Sequence, residues 1–403
     1  MEPKMPAQKG MNSKQRVRIA LAHREPDRVP VGEMGIDYPV IEQVLGHETF
    51  YRAQGKERQA IWAGRRDEVV HSQKHDLVEL VRKLEWDIVP VWLTYSKHAD
   101  YTPKRFLSVD QLKWEDAAGN IWQASSPTAD ALCVDAPDIT SDMLEEMLSS
   151  GPQIDESQLE LVRHVVHELG ETHFIIGRGW HAPSTWTDGS FPLPGEGLSI
   201  PIDRFLILIY EQPKLVHKIL QAYTRWAIAY ASQMVAEGVD AIQINADYCI
   251  NTGPWLSPTM FREFILPYMQ QQVDAYKKMG VYVLKHTDGK TWSILDMMVS
   301  TGIDALHGIQ PSLGMDIRLL KEKVGDRVAL FGAVEAEDLI NGSTEDILRV
   351  VEYCLRYGAI GGGFVLTTSN SVQVGTRYEN YMTMLGVARQ MGCYPLRFTG
   401  IAE

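Results

Sequence analysis

The sequence predicts an α/β fold: a closed (β/α)8, or TIM, barrel of parallel strands, one domain with elaborated loops. Three observations lead there. Eight short apolar runs recur along the chain, most intervals between them carry helical amphipathic spacing, and most runs end on a polar or ionisable residue. The last feature is plainest in VLKHTDGK, residues 283–290, where an apolar run ends in His286 and Asp288 beside a glycine. A ladder strand needs neither an imidazole nor a carboxylate there, whereas a catalytic barrel collects its site at the carboxyl ends of its strands. A doubly wound open sheet is the alternative.

The elements follow in order. Residues 1–12 read as a disordered lead-in and 13–403 as the barrel, beginning with a helix at NSKQRVRIALAHR whose N-cap is taken as Ser13. The apolar runs are 28–35, 86–92, 173–179, 240–248, 281–289, 303–310, 328–335 and 363–371. The best-marked helix lies between the fourth and fifth runs, with Ser257 as N-cap, Pro258 at the first helical position and Gly280 past its end. Another spans 213–237 and stops at Gly238. Two intervals exceed what a barrel needs. Residues 96–172 contain LKWEDAAGNIWQAS, two alternating runs around a turn, which reads as a β-hairpin excursion. Residues 180–212, rich in proline, glycine and aromatic residues, read as a lid-like loop.

Composition narrows the function. Lys+Arg of 39 against Asp+Glu of 52 leaves a net charge of −13, which repels nucleic-acid phosphates and anionic lipid. No apolar run approaches the roughly 20 residues of a membrane span. The four cysteines, 133, 249, 354 and 393, form no CxxC pair and point to reduced thiols in a cytoplasmic enzyme. Cys249, without a partner thiol, reads as inert. GAIGGGF at 358–364 precedes its strand and opens no helix, so it is not a phosphate loop. No Ser-His-Asp nucleophile elbow is present. The oligomeric state stays open, a homodimer included.

Candidate site residues stand at the ends of the runs: Glu33, Arg178, His181, Asn245, Asp247, Tyr248, His286, Asp288, His307, Gln310, Glu335, Ser369 and Asn370. Trp180, Trp186 and Tyr248 are expected to line an apolar pocket for a flat substrate near His286. Each has a plainer alternative: Asp288 as a turn former, His307 as a core histidine bonded to a backbone carbonyl, Arg178 as the partner of a strand-end carboxylate.

The ordered set SPTMFREFILPY, KHTDGK, GIDALHGIQPSLGMDIRLLKEKVGDRVALFGAVE and GGGFVLTTSNS, with the opening SKQRVRIALAHREPDRVPVGE, resembles the uroporphyrinogen decarboxylase superfamily over nearly the whole chain. That resemblance implies an α/β barrel and leaves two chemistries. The decarboxylases carry an arginine-rich motif after the first strand that grips substrate carboxylates. Here VPVGEMGIDYP puts Glu33 and Asp37 there, which are expected to repel a polyanion. The other branch is the corrinoid-dependent methyltransferases. Its methanol and coenzyme M members bind zinc through His-x-Cys and a later cysteine. This sequence has His286 but Asp288 for the first cysteine and TTSNS at the second place, so the soft thiolate site is lost.

HTDG, NADY and IQPSLGMDI look most like the O-demethylase members of that branch. The resemblance then implies transfer of a methyl group from a small methoxylated, aromatic substrate to the Co(I) corrinoid of a separate carrier protein. Asp247, His286 and Asp288 become the catalytic residues, supplying a proton to the leaving phenolate, whose conjugate acid has a pKa of about 10. Whether His286 and Asp288 also hold a metal, zinc included, stays open. The alternatives are a decarboxylase of the same superfamily and a non-catalytic small-molecule binding barrel.

Overall fold

The computed structural model of the chain describes residues 10–108, 112–124, 131–137, 145, 149, 154–179, 190–192 and 199–398. Seven parallel strands form one sheet in sequential order: β1 (Ile88–Val91), β2 (Phe174–Arg178), β3 (Ala241–Asn245), β4 (Tyr282–His286), β5 (Ala305–His307), β6 (Ala329–Val334) and β7 (Phe364–Thr368). Their sequences are near-continuous apolar runs, and β1, β6 and β7 are buried at every position. Such runs suit a parallel sheet covered on both faces. Helices between the strands supply cover. Glu160–Leu169, for instance, buries Leu161, Val162, Val165 and Leu169 along one stripe at helical spacing.

Seven of the eight expected strands form; the first does not. Residues 28–36 make only isolated bridges, Val31 with Leu366 and Ile36 with Val372 in parallel. Pro30 has no N–H to give a ladder, although Pro90 inside β1 shows that one proline does not by itself prevent a strand. The segment still touches both edges of the sheet: the Leu366 N–H donates to Pro30 O at 2.9 Å, and the Asp87 N–H, just before β1, donates to Val31 O at 2.7 Å.

The fully buried Asp87 carboxylate holds that segment in place. It accepts from Arg16 Nη1 (2.7 Å), Arg28 Nη1 (2.7 Å) and the Val31 N–H (2.8 Å), tying the first helix and the 28–31 segment to the foot of β1.

Several local expectations change. The first helix, Ser13–Leu21, is capped by Asn12 and not by Ser13: the Asn12 side chain accepts the Gln15 N–H at 2.9 Å, while Gln15 Oε1 accepts the Asn12 N–H at 3.1 Å. The lead-in 1–9 lies outside the described residues. Ser257 caps its helix as expected, although a π-helical turn, Phe261–Ile265, precedes the longer Leu266–Lys278. In the 96–172 interval the two alternating runs pair antiparallel, Trp114 opposite Trp122, within a four-stranded sheet that adds Arg105–Ser108 and Ala131–Asp135. Within 180–212, residues 190–192 pair with 199–201 and Ile202–Glu211 is helical, so the stretch is not all loop. No helix among the described residues is long and apolar enough to cross a membrane.

Removing a carboxylate that pairs two arginines strands buried positive charge. Asp87→Ala is therefore expected to cost about 3–5 kcal/mol in urea unfolding; a loss below about 1 kcal/mol would show that the Asp87 network does not anchor the fold.

Candidate functional site: a carboxylate–imidazole cluster at the strand ends

Strand register builds the site. In the sheet His286 stands opposite Asn245 on one side and His307 on the other, so side chains ending three successive strands meet. The chain must then turn at once, and two glycines permit it. Gly289 has φ +85°, and a Cβ there would come within 2.7 Å of Ile250 O. Gly308 has φ +95°, and a Cβ would approach Thr287 O to 2.3 Å. Both turns need left-handed backbone and close passage, which only glycine supplies without strain. This is why His286 and Asp288 can sit where strand becomes turn.

The result is a compact cluster. His286 Nε2 lies 3.6 Å from Asp247 Oδ1 and 3.8 Å from Asp288 Oδ1, and one ligand atom from each residue falls within 4.8 Å of the others. The Asp288 N–H donates to Asp247 Oδ1 at 3.0 Å, Asn370 Nδ2 donates to Asp288 Oδ2, and Asp288 Oδ1 has no hydrogen-bond partner among the described residues. Behind His286, its Nδ1 meets His307 Nδ1 at 2.7 Å, and His307 Nε2 contacts Thr368 O at 3.1 Å.

These contacts assign the protons. A carbonyl only accepts, so His307 Nε2 carries hydrogen. Burial holds His307 well below the usual histidine range, so it is neutral and its Nδ1 is bare. His286 Nδ1 must then donate. A neutral His286 consequently turns the lone pair of Nε2 toward two carboxylates. Burial raises the pKa of Asp247, and burial together with Asp247 raises that of Asp288 further. Such a trio of electron-rich atoms is relieved by protons or by a cation. The donor set, one imidazole nitrogen and two carboxylate oxygens, fits a divalent metal such as zinc.

Lys285 was not anticipated. It is fully buried, its Nζ donating to Ala246 O (2.5 Å) and His286 O and lying 4.0 Å from the centre of the Tyr248 ring. It ties together the ends of β3 and β4, which carry the cluster. Burial pushes its ammonium down to about 7. A lysine inside an apolar strand run was the available signal.

The remaining candidates divide. Gln310 Oε1 accepts the Gly289 N–H at 2.6 Å and so braces the turn beside Asp288. Arg178 and Asn245 reach a cavity next to the cluster. Tyr248, expected as a pocket wall, is instead buried, packed edge-on against Phe261 at 5.2 Å. Glu33, expected at the substrate, is wholly buried, its Oε2 accepting from the Thr368 N–H (3.0 Å) and Oγ1 (2.6 Å). Glu335 turns to Ser312, accepting from its N–H (2.9 Å) and hydroxyl (2.6 Å). Trp180, His181 and Trp186 lie outside the described residues.

The cavity holds about 310 Å³, and its described walls differ from the apolar pocket expected. Trp92, Tyr95 and Met234 share it with Arg52, Arg58 and Arg178. Arg52 Nη2 also pairs with Asp37 at 2.8 Å, and burial pushes the Glu57 carboxyl, on the same wall, up to about 7. The helix 54–62 that brings Arg58 carried no site signal in the sequence. Glu33 and Asp37 therefore do not repel a polyanion as expected: one is buried away from the cavity, the other is paired.

Sheet and site together define a parallel α/β protein whose ionisable groups gather at the carboxyl ends of its strands. The chain belongs to the uroporphyrinogen decarboxylase (URO-D) family, whose model matches residues 122–391 and so takes in the whole cluster. It is 26% identical over 233 residues to a uroporphyrinogen decarboxylase of Coxiella burnetii, covering 56% of this chain and 60% of that protein. A uroporphyrinogen decarboxylase of Hydrogenovibrio crunogenus is 30% identical over 194 residues, 47% of this chain and 52% of its own length. These matches thus span about half to 60% of each relative's length. The solved structure of a methyltransferase from Methanosarcina mazei shares the fold across 94% of this chain and 99% of its own, with a TM-score of 0.63 and 18% identity.

Glu33 makes a titration test possible. Burial pushes its carboxyl up from 4.5 to about 8, so across that window the folded chain keeps a proton that the unfolded chain has released. Stability must fall as pH rises through it. Glu33→Gln cannot ionise and should gain on the wild type between about pH 5 and about pH 8 in urea unfolding. An equal difference at both pH values would mean that Glu33 is charged in the fold.

Proposed function

We propose that this protein is a methyltransferase that removes the methyl group of a small methoxylated aromatic substrate and passes it to the Co(I) corrinoid of a partner protein. The observation that carries the reading is the Asp247–His286–Asp288 cluster beside a cavity of about 310 Å³, a volume at the lower end for small-molecule sites. The full-length likeness to a methyltransferase fold agrees with it. The same reading takes residues 28–36 as the segment that closes the sheet into a barrel.

The corrinoid, brought by a carrier protein docking over the strand ends, supplies the nucleophile. Methyl transfer breaks the bond between methyl carbon and ether oxygen, and both electrons of that bond stay on the oxygen. Asp247 and Asp288, whose raised pKa values keep a proton available, place it beside that oxygen, and His286 orients the pair. His286 Nε2, Asp247 and Asp288 would equally hold a divalent ion, which supplies a Lewis acid to the same oxygen. Asn370 and Gln310 hold Asp288 and its turn in place.

A second reading, decarboxylation of a polycarboxylate, is favoured by one observation: Arg52, Arg58 and Arg178 surround the cavity. A site for uroporphyrinogen itself would have to seat four pyrrole rings, which the cavity bounded by the described residues does not.

Mixing the protein with a Co(I) corrinoid protein and a methoxybenzoate, and separately with a polycarboxylated pyrrole, separates the readings. Methyl transfer, followed by the corrinoid's visible spectrum and the released phenol, supports the first. Carbon dioxide release from the polycarboxylate supports the second, and neither product from either mixture indicates a binding protein. His286→Ala and Asp288→Asn should each slow transfer by about 10²–10⁴-fold while melting within a few degrees of the wild type, because both stand at the end of a strand and outside the apolar core. Full turnover with lowered stability would make the cluster architecture only.

A further inference from the structure

A second chamber lies against the first. It holds about 370 Å³ and lies between the helix 54–62 and the antiparallel excursion: Trp62, Tyr95, Tyr101, Trp114 and Trp122 supply five aromatic rings. Arg58 and Tyr95 line both chambers, so the two abut. The rings are set at angles that surround a space and do not fill it. Trp62 meets Trp114 edge-on at 5.1 Å, and Tyr95 meets Tyr101 edge-on at 5.1 Å. The indole N–H of Trp122 donates to Asp116 Oδ2 at 2.7 Å, and the Tyr101 hydroxyl accepts the Ser96 N–H at 2.9 Å. With these polar ends anchored in the protein, both rings keep apolar surface for a guest.

Core packing does not account for this arrangement. Protein interiors leave few voids larger than a water molecule, and aromatic rings in a core are covered. Here Tyr101 is 37% exposed, and Trp62 and Trp122 are half-buried around the open volume. Only Trp114 is buried, and the Arg58 guanidinium lies 4.9 Å from its ring centre at the junction.

We infer that this chamber is a second ligand subsite that takes a planar apolar ring of the same donor whose methoxy end occupies the inner cavity. The inference rests on the reading above in taking the inner cavity as the donor site. It narrows the substrate class to methoxylated aromatics with a second ring, carrying an oxygen acceptor that meets Arg58 where the chambers join.

The test needs no corrinoid. Calorimetric titration of the full chain with 4-methoxyacetophenone and with 4-methoxybenzophenone compares one ring with two, each probe placing a carbonyl oxygen at the junction. The two-ring probe should bind at least about tenfold tighter, as expected for burying a ring among aromatic side chains. Tyr101→Ala, at a half-open loop position, and Trp122→Ala should each remove most of that advantage and change one-ring affinity less than about twofold. Melting curves establish that the variants fold, and the wild-type ratio stands if one does not. Equal affinities, equal losses for both probes in the variants, or no binding of either overturns the subsite. Methyl transfer from the one-ring probe without preference for the longer one would leave the reaction standing and remove only the second chamber. Strong two-ring binding without transfer from either probe would do the reverse.

Discussion

The 2.7 Å contact between the Nδ1 atoms of His286 and His307 determines what the site can be. Two bare nitrogens cannot meet at that distance, and two N–H groups cannot either. Because Thr368 O takes the other hydrogen of His307, His286 must donate inward and present Nε2 outward. That orientation turns Nε2 toward two carboxylates whose pKa values burial raises, one of them held in place by Asn370. Reversing the His307 ring would make His286 Nδ1 the acceptor and put the imidazole hydrogen on Nε2, facing the carboxylates.

The supports of the cluster are backbone features. Register sets His286 beside His307, Lys285 ties the carbonyls of Ala246 and His286, and Gly289 and Gly308 let the two turns pass within contact of neighbouring backbone. At the opposite end of β1, Asp87 performs the comparable task with Arg16 and Arg28. The chain thus ties down both ends of its strands with buried charge, fully satisfied at the foot and incompletely satisfied at the site, where Asp288 Oδ1 has no hydrogen-bond partner among the described residues. A buried polar atom left open is costly unless something occupies it.

Much of the fold was legible because a parallel sheet writes itself as apolar runs at regular spacing, and seven such runs became strands. The eighth makes only isolated bridges, and a proline alone does not explain it, since Pro90 lies inside β1. The strand-end residues Asp247, His286, Asp288 and Asn370 were legible too, since polar groups at the ends of apolar runs stand out. Depth was not legible. Glu33 and Tyr248 end their runs as the others do, yet tertiary packing carries them inward, and Glu335 is taken by Ser312. Apart from Arg178, which ends β2, the arginines and most aromatic rings of the two chambers come from the helix 54–62 and from loops and strands outside the main sheet, where local sequence says nothing about which cavity a side chain enters.

The central claim is that Asp247, His286 and Asp288 form one cation-competent unit whose geometry His307 sets. Calorimetric zinc titration of the wild type, Asp288→Asn and His307→Leu tests it most directly. The account predicts one zinc per wild-type chain, no stoichiometric binding by Asp288→Asn, and affinity lowered about 10–100-fold in His307→Leu, the usual effect of losing a group that orients a ligand. Failure of the wild type to bind zinc, or undiminished binding by folded Asp288→Asn, would contradict it.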